Sequence, residues 1–516
     1  MKPMRLSLIA AFLVSTALAQ ADDWPVWGRN TTRNFYSPAR DTVSDFNPGR
    51  LKRGTEEVDP ATTKNIKWVA KLGSEAYGNP TVANGRVYVG TNNESPRDPR
   101  IQGDHGILLC LDEATGELQW QLVVPKLGAG KVSDWEFLGI CSSPAVEGDR
   151  VYLITSRCEI MCLDVAGLTN GNQGYQDEAA YIAGPGKPPV EPGPKGADIL
   201  WIFDMREELG VFPHNITSSS VLVLKDRVVA TTSNGQDWSH VNIPSPLAPT
   251  LVMVDKQTGE LMGEEGSGIS ERLKHCNWSS PAYDVIAGRP TIVFGAGDGF
   301  CYGFDINPVK GDDDLMVLKE LWRYDCVPDK YKTRDGKPIK YPSADGPSEI
   351  IATPVLYQNR VYVSIGQDPE HGEGVGNLTC IDATGSGDIT RTGKVWNFDG
   401  IKRSLSTVSI DPQSGLLFTA DYSGYVYCLN ADTGELYWRY DMLAHLWGST
   451  LVADGKVYLG DEDGDFVILP ARKDFDPDQD KPLLEVMFPT SIYSSPVIAN
   501  GVLYVATHTH LYAIGK

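Results

Sequence analysis

The residues of this sequence best suited to chemistry are histidines, tryptophans and carboxylates in four short polar segments. The candidate ligand-binding residues in these segments are His214 and Asn215; Asn234, Trp238 and His240; His275 and Trp278; and Asp368, Glu370 and His371. A histidine near carboxylates can bind a metal ion or carry protons, and an indole ring can stack on a flat or sugar-like ligand. No spacing among them matches a zinc-binding helix of the His-Glu-x-x-His type. The alternative, that they are loop residues making ordinary hydrogen bonds, therefore stays open, and neither a catalytic residue nor a metal site is assigned.

A repeated pattern predicts the elements that position these segments. Eight times a small polar residue, often followed by proline, precedes a turn and a β-branched run, as in Asn79-Pro80 before Val87-Tyr88-Val89. The units lie about 42 to 76 residues apart, which brackets the length of a four-stranded propeller blade with loop insertions. The sequence therefore predicts an all-β fold, an eight-bladed β-propeller of four-stranded antiparallel blades.

The later part of each unit predicts a third strand, a tight turn and a fourth strand. Asp112 before Thr115-Gly116 is typical, because aspartate caps such a turn and glycine takes its positive φ. Thr384-Gly385 is expected to form the same turn. The fourth strand carries an indole that is expected to pack against the next blade; these residues are Trp120, Trp201, Trp322, Trp396 and Trp438.

The ends of the chain predict how the ring closes. The eighth unit stops after Leu511–Ile514 without a fourth strand, and Asn65–Ala70 is a fourth strand without a unit. The two are expected to complete one blade, which removes the exposed sheet edges. The predicted organisation is a signal peptide at 1–21, an N-terminal extension at 22–61 and the propeller at 62–516.

In such a ring, the connections from second to third strand and from one blade to the next emerge on the same face. All eight histidines of the chain fall in these connections, together with Trp135, Trp238, Trp278 and Trp447. The long Gly- and Pro-rich insertion from Gly167 to Ala197 falls on the opposite face. A ligand pocket over the channel is therefore expected on the histidine face.

The net charge and the first residues of the sequence limit the classes of partner and indicate the location of the protein. An apolar run from Leu6 to Leu18 behind Lys2 and Arg5, followed by small residues, predicts a cleaved signal peptide and a periplasmic or secreted protein. The formal net charge of −21 repels phosphate backbones, so nucleic acid is excluded as a partner, and no stretch suggests membrane insertion. A monomer with a protein, peptide or glycan partner is expected.

Two other patterns are expected to be structural. Cys110, Cys162, Cys380 and Cys428 stand in the third strands of separate blades, too far apart to bridge, and are interpreted as small buried hydrophobic residues. Of all pairs, Cys158 and Cys162 are the best placed to pair. The segment from Asp461 to Asp465 is interpreted as a hairpin turn and not as a calcium loop.

The repeat Leu-Asp-x-x-Thr-Gly-Glu-x-x-Trp resembles that of the PQQ-binding-like β-propeller proteins of the quinoprotein alcohol dehydrogenase-like superfamily, over roughly residues 62–516. The chain looks like an exported branch, similar in fold to BamB. For the enzymes of the superfamily, the resemblance implies PQQ with a calcium ion held by Glu, Asn and Asp, an Asp base and a disulfide between adjacent cysteines.

Few of these enzyme features are found here. Asn234 is the match for the calcium-binding Asn, Trp278-Ser279 stands where Trp-Asp is expected, Glu159 is out of register, and no two cysteines are adjacent. The leading hypothesis is therefore a non-catalytic binding or scaffolding propeller without an assigned cofactor. The alternatives are a PQQ- or metal-dependent oxidoreductase, with PQQ and calcium as its cofactors, and a BamB-like factor in outer-membrane protein assembly.

Overall fold

The computed structural model describes residues 22–311, 314–372 and 374–516, and these fold into eight four-stranded antiparallel sheets arranged as blades around a channel. The predicted signal peptide lies outside the described residues. Strands a to d of each blade are numbered outward from the channel. Those of blades 1 to 4 are Thr81–Ala83, Arg86–Asn92, His105–Asp112 and Leu118–Pro125; Ala145–Glu147, Arg150–Ile154, Glu159–Asp164 and Ile199–Asp204; Leu222–Val223, Arg227–Thr231, Leu251–Asp255 and Leu261–Glu265; and Ala282–Ile286, Arg289–Gly295, Phe300–Asp305 and Glu320–Asp325.

The strands of blades 5 to 8 are Val355–Tyr357, Arg360–Ile365, Asn377–Asp382 and Lys394–Phe398; Ser409–Asp411, Leu416–Ala420, Tyr425–Asn430 and Leu436–Asp441; Leu451–Ala453, Lys456–Gly460, Asp465–Pro470 and Leu484–Met487; and Val497–Ala499, Val502–Ala506, His510–Ile514 and Ile66–Lys71. The predicted closure is confirmed, since Ile66–Lys71 pairs antiparallel with His510–Ile514 and places Trp68 opposite Ala513.

Short elements decorate the ring. Tyr36–Ser37 joins blade 7, Val309–Lys310 and Met316–Leu318 join blade 3, Gly387–Asp388 joins blade 4, and Thr333–Arg334 pairs with Lys337–Pro338. The α-helices are Glu178–Ala183 and Met205–Leu209, and the 3-10 turns include Pro60–Thr62, Gly130–Val132, Gly167–Asn170, Ile269–Arg272, Asp329–Tyr331 and Pro369–His371. Among the described residues, no helix has the length and apolar character needed to cross a membrane.

Tryptophans in the outer strands join successive blades, as predicted. The Trp68 indole lies against Gly116 in the c–d turn of blade 1 and donates its N–H to the Glu113 carbonyl at 2.9 Å. A side chain on Gly116, whose φ is +74°, would collide with the ring, which explains the glycine. The same arrangement recurs for Trp120 on Gly167, Trp201 on Gly259 and Trp396 on Gly434.

Two positions depart from the repeat prediction. Trp322 lies over Gly303 of its own blade, with its indole N–H unpaired, instead of over the turn glycine Gly385 of blade 5. Gly385 does not have a positive φ; in that turn Gly387 does, at +70°. Both departures have the same cause, since the turn of blade 5 carries an insertion whose Gly387–Asp388 strand pairs with blade 4 instead.

The interpretations of the cysteines and of the acidic turn are supported by the structure. All nine cysteines are free, and eight of them are buried. Cys158 and Cys162, the best-placed pair, are each unpaired. Asp461 accepts the backbone N–H groups of Asp463 and Asp465 and closes a hairpin turn between strands b and c of blade 7.

A closed ring of hydrogen bonds joins the blades where their inner strands begin. In each blade, the backbone N–H of one residue donates to a side-chain oxygen of the equivalent residue in the next blade, and the eighth blade donates to the first at 2.8 Å. The other distances are between 2.7 and 3.4 Å. The ring residues are Asn79, Ser143, Ser220, Ser280, Thr353, Thr407, Ser449 and Ser495.

The N-terminal segment 22–37, to which the sequence analysis gave no role, covers the other end of the channel. It bonds to the inner strands or their turns in all eight blades, from Trp24 on Val82 in blade 1 to Asp22 on Asn500 in blade 8. The Arg33 guanidinium is fully buried and donates to the carbonyls of Trp27, Val221 and Pro281. The channel is therefore accessible from the histidine face.

The ring can be tested at Ser449, whose hydroxyl accepts the Thr407 N–H at 2.9 Å. Ser449→Ala leaves that buried N–H without a partner, which should lower the free energy of unfolding by about 1–3 kcal/mol. Urea titration followed by tryptophan fluorescence measures the change. Ser449→Thr keeps the hydroxyl and serves as the control. An alanine variant as stable as the control would show that the ring contributes no stability.

Candidate metal centre

Four histidines from three blades meet on the accessible face. His214 precedes blade 3, His275 precedes blade 4, and His240 and His371 lie between strands b and c of blades 3 and 5. Their neighbouring ring centroids are 4.3 to 5.2 Å apart. All four lie in connections predicted for this face, and their rings form one cluster.

The backbone brings the first three histidines together. Isolated β-bridges join Pro213 to Asn234 and Gly235 to Cys276, so that the segments carrying His214, His240 and His275 lie side by side. A β-carbon on Gly235 would lie 2.6 Å from that of His214 and 2.9 Å from the His275 carbonyl. Only glycine permits this approach.

The imidazole nitrogens converge on one point. His214 Nδ1 lies 2.5 Å from the Gln236 carbonyl, so this nitrogen carries the proton and Nε2 presents a lone pair. The Nε2 atoms of His214 and His275 are 2.6 Å apart. One ring nitrogen from each of His214, His240 and His275 lies within 4.8 Å of the others.

A tyrosine and two carboxyl groups surround this cluster. The Tyr341 hydroxyl donates to Glu349 Oε1 at 3.0 Å and lies 3.1 Å from His371 Nδ1. His275 Nδ1 lies 3.8 Å from Glu349 Oε1 and 3.9 Å from Asp368 Oδ2. The hydroxyl therefore links the fourth histidine to a carboxyl group, in a chain along which a proton can pass.

Burial keeps His214, His275 and His371 uncharged, because it lowers their pKa values. It lowers the pKa values of His214 and His275 to about 3 and that of His371 to about 4. The neighbouring histidines, which repel any added proton, lower them further. Burial raises the pKa of Glu349 to about 8 and that of Asp368 to about 7. Neutral imidazoles are the form that binds metals.

The donor set fits a transition metal ion. Neutral imidazoles suit zinc, copper, iron and nickel, and catalytic zinc sites use three protein ligands with one open position. His275 Nδ1 and Glu349 Oε2 are buried and have no hydrogen-bond partner among the described residues. A tetrahedral ion with Zn–N bonds of about 2.0–2.1 Å separates its nitrogens by roughly 3.3 Å. His214 and His275 would therefore move apart by less than about 1 Å.

The candidate metal centre formed by His214, His240 and His275, called the centre below, borders a cavity of about 440 Å³ at the mouth of the channel. Trp278 and Asp368 belong to both, since they line the cavity and adjoin the His275 ring. The floor is formed by ring residues and Trp27 of the N-terminal segment. A small molecule in the cavity would thus lie beside the centre.

The other candidate residues have different positions. Asn215 and Glu370 line the cavity, whereas the Trp238 side chain is 59% exposed, with its ring centroid 6.4 Å from that of His240. Asn234 is fully buried and structural, since it accepts the Phe212 N–H and donates to Ser245 and Ser270.

Sequence reasoning missed Glu349 and Tyr341. Glu349 lies four residues before Thr353, in the connection that leads into blade 5. Connections from one blade to the next were predicted to lie on the histidine face. A carboxylate in this connection could therefore have been recognised as a candidate site residue. Tyr341 lies in a long loop without a repeat pattern, so nothing in the sequence indicated its position.

Comparison with known proteins agrees with this architecture. The family model described as outer membrane protein assembly factor BamB matches residues 58–173 and 375–473. These two stretches make up less than half of the chain, and over them the chain is similar to that family. No curated protein matches the chain.

Solved structures share the PQQ-like propeller fold at low sequence identity. BamB from Moraxella catarrhalis has a TM-score of 0.51 at 13% identity, covering 87% of this chain and 97% of its own. A europium-containing methanol dehydrogenase has a TM-score of 0.57 at 12% identity, covering 96% and 98%. A quinohemoprotein alcohol dehydrogenase from Pseudomonas putida has a TM-score of 0.56 at 14% identity, covering 96% and 80%.

The residues present do not fit PQQ with calcium. The side chain of Asn234, the matched ligand, makes three hydrogen bonds within the protein. Glu159 is likewise engaged, by Thr155, Arg157 and Tyr181. Among the described residues that line the cavity, none is lysine or arginine, so nothing there would neutralise the carboxylates of PQQ. Such a propeller would need a different ligand at this face.

The low histidine pKa values predict a pH-dependent stability in metal-free protein. The pKa of His275 is about 3 in the folded chain and near 6.5 in the unfolded one, so unfolding takes up a proton between these values. Stability from this residue is complete above pH 6.5 and is lost as the pH falls toward 3. His275→Asn should reduce the slope of unfolding free energy against pH, between pH 4.5 and 6, by up to about 1.4 kcal/mol per pH unit.

Urea titrations at several pH values in EDTA measure both slopes. The raised carboxyl pKa values of Glu349 and Asp368 act in the opposite direction, because their protonated forms favour folding until the pH rises through about 7 to 8. Comparison with the wild type isolates the histidine. Equal slopes for the two proteins would contradict the assignment.

Proposed function

We propose that this propeller is a metal-dependent enzyme, with a transition metal ion held by His214, His240 and His275 at the mouth of the channel. The observation that carries the proposal is the convergence of three imidazole nitrogens from separate loops within 4.8 Å. Three ligands leave one position of a tetrahedral ion for water or substrate. His240 is partly exposed, which leaves a side of the centre accessible.

The surrounding groups suit acid–base chemistry. An ideal proton carrier has a pKa near the working pH, and burial brings Glu349 and Asp368 to about 8 and 7. Tyr341 connects Glu349 to His371 by hydrogen bonds of 3.0 and 3.1 Å. Glu349 and Asp368 both lie beside His275, so a metal-activated water or a polarised substrate would have proton acceptors and donors close to it. Hydrolysis or elimination is the reaction class this favours.

The second candidate is partner binding, the leading hypothesis from the sequence. It rests on one loop beside the centre, in which Trp238, Val241 and Leu247 are 59%, 76% and 86% exposed. Apolar side chains grouped on a surface often mark a protein-binding site. A BamB-like role would use such a surface. We place the enzyme first because a docking loop needs no converging histidines.

Metal binding can be tested by titrating EDTA-treated protein with Zn²⁺ or Co²⁺. Calorimetry should give one ion per chain, and the cobalt protein should acquire a visible absorption band. His240→Ala removes a partly exposed ligand and should weaken binding by at least about 100-fold, because even residues behind the ligands contribute 10- to 100-fold. His445→Ala removes a histidine of the same face outside the centre and should bind normally.

Catalysis is tested separately with p-nitrophenyl acetate, a general probe of activated water. The zinc or cobalt protein should hydrolyse it faster than the EDTA-treated protein, and His240→Ala should fall to the background rate. Failure to bind either metal would overturn the centre. Binding without any metal-dependent rate would overturn the enzyme and favour the partner-binding candidate.

A further inference from the structure

The cavity at the mouth of the channel has a chemistry of its own, beyond that of the centre at its edge. We propose that it binds a neutral polyhydroxylated ligand, a saccharide. The inference rests on the proposed function only where it identifies this saccharide as the substrate of that centre. Its supports are the floor, the walls and the charge of the cavity.

The floor is a set of hydrogen-bond donors. Six hydroxyl groups of the ring line the cavity, and each accepts a backbone N–H while none donates to another protein atom in the described chain; they belong to Ser220, Ser280, Thr353, Thr407, Ser449 and Ser495. The ring residue Asn79 uses its side-chain oxygen for the Ser495 N–H, while its Nδ2 is buried without a partner. Asn79 is 3% exposed and lines the cavity. The floor therefore offers O–H and N–H groups to a ligand that carries oxygen acceptors.

The walls combine aromatic faces with hydrogen-bond acceptors. Half-buried rings of Tyr77, Trp135, Trp278, Trp447 and Tyr493 line the cavity. The Trp447 and Tyr493 rings are stacked on each other, with centroids 4.8 Å apart, so each ring supports the other in the wall. Aromatic rings present apolar faces on which the C–H side of a sugar can pack.

Carboxyl groups complete the walls. Glu75, Glu136, Asp368 and Glu370 line the cavity and can accept hydrogen bonds from ligand hydroxyls. The combination of donors below, acceptors beside and flat apolar surfaces between them matches a sugar, which has hydroxyl groups around its edge and C–H groups on its faces. A volume of about 440 Å³ is within the range of about 300–1,000 Å³ for small-molecule sites.

The charge of the cavity argues against the other classes of small ligand. Carboxylates without a lysine or arginine in the described lining repel an anion. An organic cation would be attracted by carboxylates and aromatic faces. Its ammonium group carries no acceptor for the Asn79 amide or the ring hydroxyls, however, and would leave most of the floor unpaired. The neutral polyol uses both surfaces.

Tryptophan fluorescence and calorimetry test this with named probes: glucose, galactose, N-acetylglucosamine, maltose and cellobiose as neutral sugars, choline as the cation and gluconate as the anion. We expect at least one sugar to bind saturably, with choline and gluconate at least tenfold weaker. Trp447→Ala should weaken the sugar at least tenfold. Asn79→Asp keeps an oxygen acceptor for the Ser495 N–H and removes the amide donor, and should weaken sugar binding about threefold or more.

Leu443→Ala, which removes an 88% exposed apolar side chain outside the cavity, is the control and should bind as the wild type does. Sugar binding by EDTA-treated protein and by His240→Ala should persist, which separates this inference from the metal centre. Binding of none of the sugars, stronger binding of choline, or equal loss in Trp447→Ala and Leu443→Ala would overturn it, whatever the outcome of the metal titration.

Discussion

The ring of eight hydrogen bonds is the constraint on which the rest of the molecule depends. Each inner strand begins with a backbone N–H that no strand partner can accept, at a place where the blades are closest together. Leaving such a group buried and unpaired costs about 1–3 kcal/mol, so every blade needs a short side chain with an oxygen there. Serine, threonine and one asparagine meet that need. Because the donors and acceptors alternate around a closed circle, each blade fixes the position of the next.

This constraint also positions the centre. His214 lies six residues before ring residue Ser220, His275 five before Ser280, and Glu349 four before Thr353. Each is therefore held on a short segment whose end is anchored in the ring. Only His240, His371 and Asp368 come from connections within blades. His240 follows a segment that is bridged through Asn234 and Gly235 to the segments carrying His214 and His275. Groups on short tethers keep the spacing that a metal site requires better than groups on long loops.

These relations explain what the sequence could and could not predict. The blades repeat, so their number, the closure by Trp68 and the face of the histidines followed from periodicity. The N-terminal segment has no such pattern, because its residues on either side of an internal turn at 26–30 bond to the inner strands of different blades. The meeting of His214, His240 and His275 depends on Gly235 and two local bridges, which are contacts between blades. Asn234 was misleading for the same reason: its motif suggested a ligand, yet its partners are those of a structural residue.

The centre and the cavity differ in how they manage polar burial. In the cavity, unpaired donors face a space that a ligand or solvent can enter. In the centre, neutral histidines and protonated carboxyl groups are packed together, and the low dielectric of the site makes any single charge costly. A divalent cation reverses this balance, because its charge favours the ionised forms of Glu349 and Asp368 and its bonds use the imidazole lone pairs. The protons that burial keeps on those carboxyl groups would then be released as the ion binds. This release links the occupancy of the centre to its capacity for acid–base chemistry.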